Sequence, residues 1–514
     1  MLTFPTSVEE AASILKGAAA RSLVALADRL GGRAYDLARQ SPRTGDWDAR
    51  TTSSAEELRA AGTMLRDRSY DLVRNDATAR RARMAVVSRI VGRGLAPVCD
   101  DEAWNRLFAA WSRVCYTNNR ANFARVQTIA VAAMFDGGES FTRRRWRRPA
   151  DRGWDGKPLP IPLQLQVIEA DQVDRFKDGR TDDGGRIVQG MEFDPVGRPR
   201  AVHLLRSHPG DAWYAAQEAW VSDPIGYGDI AHLYDEDRPG MARGVPWLTP
   251  VGRSLRDMNR YEDNELTRKR AESCTVGVVT GGLDDEPGED DADNRITPAL
   301  KDARGRVVER MQPGQFLYTP PGRDIKFHTP TPTQGYREYV QTLLHRVASG
   351  LSLPYYTISG DLREANYSSA RIGDVDARAW VRPWQEQVLI PMLLEPIAQW
   401  FTEAAIASGA LPAKDYVVRW TLPAVEEHDR EAAARADALE VRFGLAALSD
   451  RQAARGQVPG ELLDRIKDSN VGLDDRGIVV DSDPRRTTYS GSLQEGRAGL
   501  TGQSTQTATA PQSP

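Results

Sequence analysis

"VGRSLRDMNRYEDNELTRKRAESC" occupies residues 251–274. Its spacing predicts one helix, about 36 Å long at the usual rise of about 1.5 Å per residue. Large apolar side chains are few along it: Leu255, Met258, Tyr261 and Leu266. Acids and bases alternate over the remainder, with Glu265 near Lys269. A helix this thinly apolar buries little by itself. It needs neighbours along its length, from its own chain or from further copies.

Downstream come "GVVTGG" (277–282), the acidic loop "LDDEPGEDDAD" (283–293), a β-type return in "MQPGQFLYTPPGRDIKF" (311–327) and a second helix, "GYREYVQTLLHRVASG" (335–350). The order helix, compact αβ insert, helix predicts a stalk with a knob at its end. Upstream, a capping box at Ser7 and Glu10 opens a helix over 7–30. Residues 39–54 read as a loop. Helical spacing covers 55–92, broken near "RND" and ended by "GRG" at 92–94, and then roughly 101–135, closing at Asp136-Gly137-Gly138. The period then changes. "LQLQVIEA" (163–170), "RIVQGMEFD" (186–194) and "RAVHLLR" (200–206) predict short strands, with "FDPVGRP" as hairpin punctuation. The fold class is therefore α+β, with a β-rich layer over 139–235 behind a helical one.

A helix over 367–408 contains Pro383 and Pro391, so kinks are expected. Arg371, Arg378 and Arg382 fall within about 40° of one another on its wheel. Leu389, Leu393 and Ile397 form an apolar stripe. The uncharged "TGQSTQTATAPQSP" (501–514) has no apolar pattern and is expected to be disordered.

The totals bound the function. A chain of 514 residues with 40% hydrophobic and 27% charged residues predicts two to four globular domains. No apolar run is long enough to span a bilayer, and Glu9 and Glu10 precede any apolar stretch, so no secretory signal is expected. Three scattered cysteines, Cys99, Cys115 and Cys274, predict a reducing compartment without a disulfide framework. The net charge is −4 and the pI about 6.0. A protein that grips DNA through its phosphates is usually basic, so contact with nucleic acid is either absent or must stay weak. Only eight of 68 basic residues are lysine, a bias that a GC-rich genome also produces.

Catalytic signatures are missing. There is no GxxxxGK[ST], HExxH or GxSxG, and the six histidines never fall at metal-ligand spacing. Neither a cofactor nor a metal is expected. The acidic run is the one place for an enzyme, because clustered carboxylates hold Mg²⁺ in nucleases. On that alternative reading Asp284, Asp285, Glu289, Asp290 and Asp291 would serve a metal-dependent nuclease or related DNA-processing enzyme. Their sequential placement in one loop favours a solvated segment. "RRRWRRP" (143–149) resembles a nucleic-acid patch, though a strand edge or subunit contact fits equally. "ANYSSAR" (365–371) joins an aromatic ring, two hydroxyls and a guanidinium at the mouth of the long helix. A serine cap accounts for the serines but not for Asn366, Tyr367 and Arg371 together.

Taken in order, several stretches resemble tailed-phage portal proteins of the lambda type. They are "RAYDLARQSPRTGDW" (33–47), "RSYDLVRNDATARRARMAVVSRIVGRGL" (68–95), "LQLQVIEADQVD" (163–174) and "GMEFDPVGRPRAVHLLRSHPGD" (190–211). The series continues through "AHLYDEDRPGMARGVPWLTPV" (231–251), "LRDMNRYEDNELTRKRAES" (255–273), "MQPGQFLYTPPG" (311–322) and "LLHRVASGLSLPYYTISGDLREANYSSAR" (343–371). The resemblance spans roughly 33–425.

It implies a non-enzymatic ring, usually a dodecamer, at one capsid vertex, assembled in the host cytoplasm. Double-stranded DNA, weakly bound, would pass through it in packaging and ejection. The implied partners are the large terminase subunit, a head–tail connector or adaptor, the major capsid protein and the scaffold. No membrane is involved. The implied parts are an N-terminal arm (1–32), a wing (33–250), a stem helix (251–274), a clip (275–334) and a return stem helix (335–350). A tunnel loop (351–368), a kinked wing helix with the following strand (369–425), a crown-like helical region (426–482) and the tail (483–514) complete the chain.

Three groups of residues are assigned roles on this basis. Glu262, Asp263, Glu265, Arg268 and Lys269 would pair between neighbouring subunits. Asp284, Asp285, Glu286, Glu289, Asp290, Asp291 and Asp293 would present the clip to terminase or connector. Asn366, Tyr367, Ser368, Ser369 and Arg371 would anchor the tunnel loop to the helix behind it, with Arg371 reaching carboxylates or carbonyls.

Overall fold

A computed structural model describes residues 52–211, 220–273, 278–280, 317–319, 335–363, 367–424, 429–480 and 485. Residues from Leu58 onward form one compact unit, and those up to Glu57 another. Helices and antiparallel sheets occupy separate layers, as an α+β fold requires. The expected N-terminal helix (7–30), the acidic loop and the tail beyond 485 lie outside the described residues.

Helices α1 (Ser54–Asn75) and α2 (Ala77–Val91) break at the expected place, where the Asp76 carboxylate accepts a hydrogen bond from the Ala79 amide at 2.7 Å. α2 turns Ala79, Ala82, Val86 and Ile90 into the core. Strand β1 (Ala96–Cys99) follows. Helices α3 (Glu102–Ser112) and α4 (Phe123–Gly137) replace the single helix expected over 101–135. The chain leaves helical geometry between them because it pairs with a later strand: the Leu165 amide donates to the Cys115 carbonyl at 2.6 Å, and the Thr117 amide to the Leu165 carbonyl at 3.0 Å. Buried Gln164 holds the same turn through the Val114 carbonyl at 2.8 Å.

Strands β2 (Glu139–Trp146), β3 (Leu163–Glu169), β4 (Gly179–Arg180), β5 (Arg186–Val188), β6 (Met191–Phe193), β7 (Pro199–Leu205), β8 (Ser222–Gly226) and β9 (Ile230–Tyr234) build two sheets. One has the order β3-β2-β9, the other β4-β5-β6-β7-β8. Alternation along β2 and its partners splits the first sheet between two cores. Leu163, Leu165, Ala231 and Leu233 join the helices, whereas Phe141, Ile168 and Ile230 pack with Met191, Val202 and Leu204 of the second sheet.

Helix α5 (Gly252–Ser273) is the thinly apolar helix of the sequence. Its apolar burial is confined to the head, at Leu255 and Met258, and further along Tyr261 stacks on Tyr336 with ring centroids 5.7 Å apart. Short strands β10 (Val278–Thr280) and β11 (Leu317–Thr319) pair in parallel within the insert. Helix α6 (Tyr336–Gly350) then returns alongside α5. A short helix α7 (Tyr355–Ser359) leads to the long kinked run: α8 (Tyr367–Ala379), α9 (Val381–Trp384), a widened π-helical stretch over Gln385–Leu394, and α10 (Glu395–Ala407). Pro391 lies in the widened stretch, where the Glu395 amide reaches back five residues to the Ile390 carbonyl. A proline has no amide to donate there, and the wider turn accommodates the loss. Leu389, Leu393 and Ile397 are fully buried, as the stripe predicted. Strand β12 (Val418–Thr421) pairs with β1 and closes the core. Helices α11 (Arg430–Arg442), α12 (Leu448–Ala454) and α13 (Pro459–Asp474) end the described chain.

One ionic cluster has no access to water. Glu139 binds Arg243 at 2.6 Å and His232 at 2.8 Å, and its second oxygen also accepts from the Gly244 amide at 3.2 Å. Arg243 donates onward to the Gln189 and Ala170 carbonyls at 2.8 and 3.0 Å. The loop can come this close only without side chains, because a Cβ on Gly244 would lie 2.1 Å from the Gly138 carbonyl oxygen. Burial pushes the Glu139 carboxyl up, but the Arg243 guanidinium and the His232 hydrogen bond override it and hold the group at about 2. Burial lowers His232, which stays neutral and donates to the carboxylate. Both groups are depressed, so the stability they contribute is present above their ordinary values and lost on acidification. The loss should begin as pH falls through about 6.5, where unfolded His232 charges, and deepen below about 4.5, where unfolded Glu139 protonates. Glu139→Gln, which leaves Arg243 buried and unpaired, should cost roughly 3–5 kcal/mol in chemical denaturation. A change under about 1 kcal/mol would remove this cluster from the account.

Candidate functional site

The segment between α6 and α8 is a strap held from two sides. Leu351 and Leu353 are buried and Ser352 adopts φ +53°, so the chain turns sharply off α6. Tyr355 stacks on His345 at 4.1 Å, and Gly360 (φ +71°) ends α7. From α2, Arg81 donates to the Thr357 carbonyl at 2.5 Å and Arg89 to the Thr357 hydroxyl at 3.3 Å. From the opposite side, the Trp380 indole donates to the Ser352 carbonyl at 3.1 Å. Trp247 packs edge-on against Trp380 and Trp384. Beneath the strap, buried Asp374 of α8 takes Arg89 at 3.1 Å and is ion-paired with Arg378. Beyond α7, Arg363 holds the Asp361 carboxyl well below the usual carboxylate range.

Sequence reasoning expected the anchor of this segment at Asn366, Tyr367, Ser368, Ser369 and Arg371. Asn366 lies outside the described residues. The backbone is helical from Tyr367, so Ser368 and Ser369 sit in the first turn of α8, with Arg371 just beyond it. Arg81, Arg89 and Asp374 were missed. The four-residue spacing of Asp374 and Arg378 was readable, whereas the approach of Arg89 depends on tertiary packing. Of the three aligned arginines, Arg378 binds Asp374 and Arg382 binds Glu386 at 2.9 Å.

On α5, Glu265 is buried and Arg268 of the same chain grips it, with Nε 3.0 Å from the carboxylate. Glu262, Asp263 and Lys269 remain exposed. Although Glu262 is exposed, partial desolvation of its carboxyl, with Asp76 and Asp263 nearby, raises it. Lys269 reaches over the Tyr336 ring at 5.9 Å. The acidic run Asp284–Asp293 lies outside the described residues. Among the described residues no three His, Cys, Asp or Glu side chains converge in a way that could hold a metal. No helix among them is long and apolar enough to cross a membrane.

Residues 40–385 match the model of a family described as phage portal protein, lambda family. The probable portal protein of Halomonas phage phiHAP-1 is 24% identical over 402 residues, covering 74% of each chain. Portal protein B of Escherichia phage lambda is 20% identical over 331 residues, 61% of this chain and 60% of its own. Among solved structures, the neck of a native gene transfer agent particle computed with C12 symmetry aligns over 76% of this chain and 93% of its own, at 15% identity and a TM-score of 0.41.

Asp374→Ala would release Arg89 and Arg378 together. Hydrogen bonds to charged groups are worth about 1.5–3 kcal/mol each, so local opening of the strap should rise roughly ten- to a hundredfold. Limited proteolysis within 351–363 reads this directly. An unchanged cleavage rate in a folded variant would show that Asp374 does not hold the strap.

Proposed function

The chain belongs to the lambda family of phage portal proteins, and from that premise we propose that its copies close into a dodecameric ring at one vertex of the virion head. Double-stranded DNA is pumped in through the ring and later ejected. The observation that carries ring formation is at the C-terminal helices. Among their described residues α11, α12 and α13 bury none, yet Leu439, Phe443, Leu445, Leu448 and Leu463 are all at least half exposed. Three short helices that bury nothing cannot offset the entropy of ordering them, and exposed apolar surface of this extent belongs to an interface. Neighbouring copies supply the missing cover.

The lower half of α5 repeats the pattern. With Glu265 and Arg268 paired inside the chain, Glu262, Asp263 and Lys269 are the charges offered to the next subunit. In this reading 33–250 is the wing, α5 and α6 are the stem, 275–334 is the clip that terminase and the connector engage, and 426–482 is the crown. The capsid protein and scaffold contact the outer face. The strap 351–368 faces passing DNA while Arg89 and Asp374 fix its base. A net charge of −4 suits passage, because every phosphate neutralised adds affinity and so drag. The ring does its work without catalysis.

The C-terminal cover is testable. Burying one large apolar side chain is worth about 1.5–3 kcal/mol, so Phe443→Asp with Leu445→Asp should shift sedimentation from rings to smaller species while far-UV dichroism is kept. Rings of unchanged size would reject these helices as an interface. Deleting 283–293 should leave rings intact and alter only the binding of terminase or connector. Loss of the ring would instead make that loop structural.

A further inference from the structure

The basic stretch 143–149 has a use that passage of DNA does not explain. Along β2, Phe141, Arg143 and Arg145 share one face, with Gln166 directly across from Arg143 on β3. That face is the floor of the layer between the two sheets, and the apolar packing ends at Ile168, Leu204 and Ile230. Beyond it a cavity of about 210 Å³ opens, lined by Arg143, Arg145, Gln166, Gln172, Arg206 and Asp223.

The polar groups in this cavity are unevenly satisfied. Arg206 is spent on Asp223, which it grips through two nitrogens at 2.9 and 3.2 Å. The other nearby acid, Asp229, is taken by Arg144 on the opposite face of β2. The side chains of Arg143, Arg145, Gln166 and Gln172 make no hydrogen bond or ion pair among the described residues, although all four residues are half-buried. Burial first, and then the like charge of Arg145, depress the Arg143 guanidinium, and the more distant carboxylates of Asp229 and Asp223 offset this only in part. Arginine stems would cover the end of an apolar layer equally well with their heads in open water. Two neighbouring guanidiniums and two amides facing one cavity instead form a donor set with no acceptor in hydrogen-bonding reach, since Asp223 is already held by Arg206.

We propose that this cavity between the sheets is a binding site for a carboxylate carried on a protein segment, the side chain of an Asp or Glu that enters from outside and takes forked hydrogen bonds from Arg143 and Arg145, with Gln166 and Gln172 beside it. Stacked sheets lie only about 10 Å apart, so the slot admits a side chain. A B-form duplex, whose major groove alone is about 12 Å wide, does not fit. The apolar walls suit the short methylene stem of an acidic side chain. The site stands whether or not the copies close into rings.

The test uses fluorescently labelled hexaglutamate on the purified full-length protein, both as unassembled chains and as assembled particles. Binding should saturate at one peptide per chain, and Arg143→Gln with Arg145→Gln should weaken it at least tenfold at fixed salt. Arg148→Gln, which removes a charge from the same stretch outside the cavity, should leave it within twofold. Arg143→Lys with Arg145→Lys keeps the charge but loses the fork and should weaken binding nearly as much as the glutamines. If the arginine variants misfold, Gln172→Ala, expected to weaken binding severalfold, carries the test. Binding by unassembled chains alone assigns the carboxylate to a neighbouring copy, and binding by both forms assigns it to another protein; either supports the site. No saturable binding, an equal loss with Arg148→Gln, or competition by a short DNA duplex at equal charge would overturn it.

Discussion

One ionised carboxylate without access to water fixes the frame on which everything else hangs. Glu139 begins β2 directly after α4, and its two oxygens hold β9 through His232 and the loop before α5 through Arg243 and the Gly244 amide. Arg243 extends the tie to carbonyls beside both sheets. Such a pair adds little net stability over apolar packing, but it tolerates only one arrangement of its partners. The direction in which α5 leaves the sheets is therefore set by charge geometry. A helix that buries so little of its own surface needs an origin of that kind.

The molecule is tightly packed in its middle and unfinished at its ends. Around Trp104, Phe108, Trp111, Phe123 and Phe401 the aromatic rings meet at centroid distances of 5.0–6.2 Å. The C-terminal helices bury nothing, and α5 is exposed over most of its length beyond Met258. A protein that works as one segment of a ring divides its surface in this way, with a rigid interior to hold register and faces completed by the next copy. The strap belongs to the rigid part at its base, where α2 holds it through Arg81 and Arg89 and Asp374 of α8 takes Arg89 from beneath.

Much of this was legible in the sequence because it is local. The break at Asn75-Asp76 follows from a capping carboxylate, the strands at 163–169 and 199–205 from alternation, and the stripe Leu389, Leu393, Ile397 from helical period. What was missed depends on partners distant in sequence. Strand β1 is four residues long, and its pairing with β12 carries no local signal. The stretch 113–122 could continue a helix until β3 claims its carbonyls. The two prolines announced a distortion, but that Pro391 is accommodated by a widened turn with Leu389, Leu393 and Leu394 buried, rather than by a simple bend, has no signature in the local pattern. At the base of the strap the contact of Asp374 with Arg89 of α2 could not be read, because the two residues are far apart in sequence. For Arg268 the three-residue spacing to Glu265 was visible, and the nearer partner within the chain takes it.

The central claim is that this chain is one segment of a closed ring around a channel. Electron-microscopic class averages of the purified assembled protein, viewed down the particle axis, test it most directly. The account predicts closed rings with a single rotational symmetry and a central opening wide enough for duplex DNA. Compact particles without an opening, accompanied by Mg²⁺-dependent DNA cleavage, would contradict it.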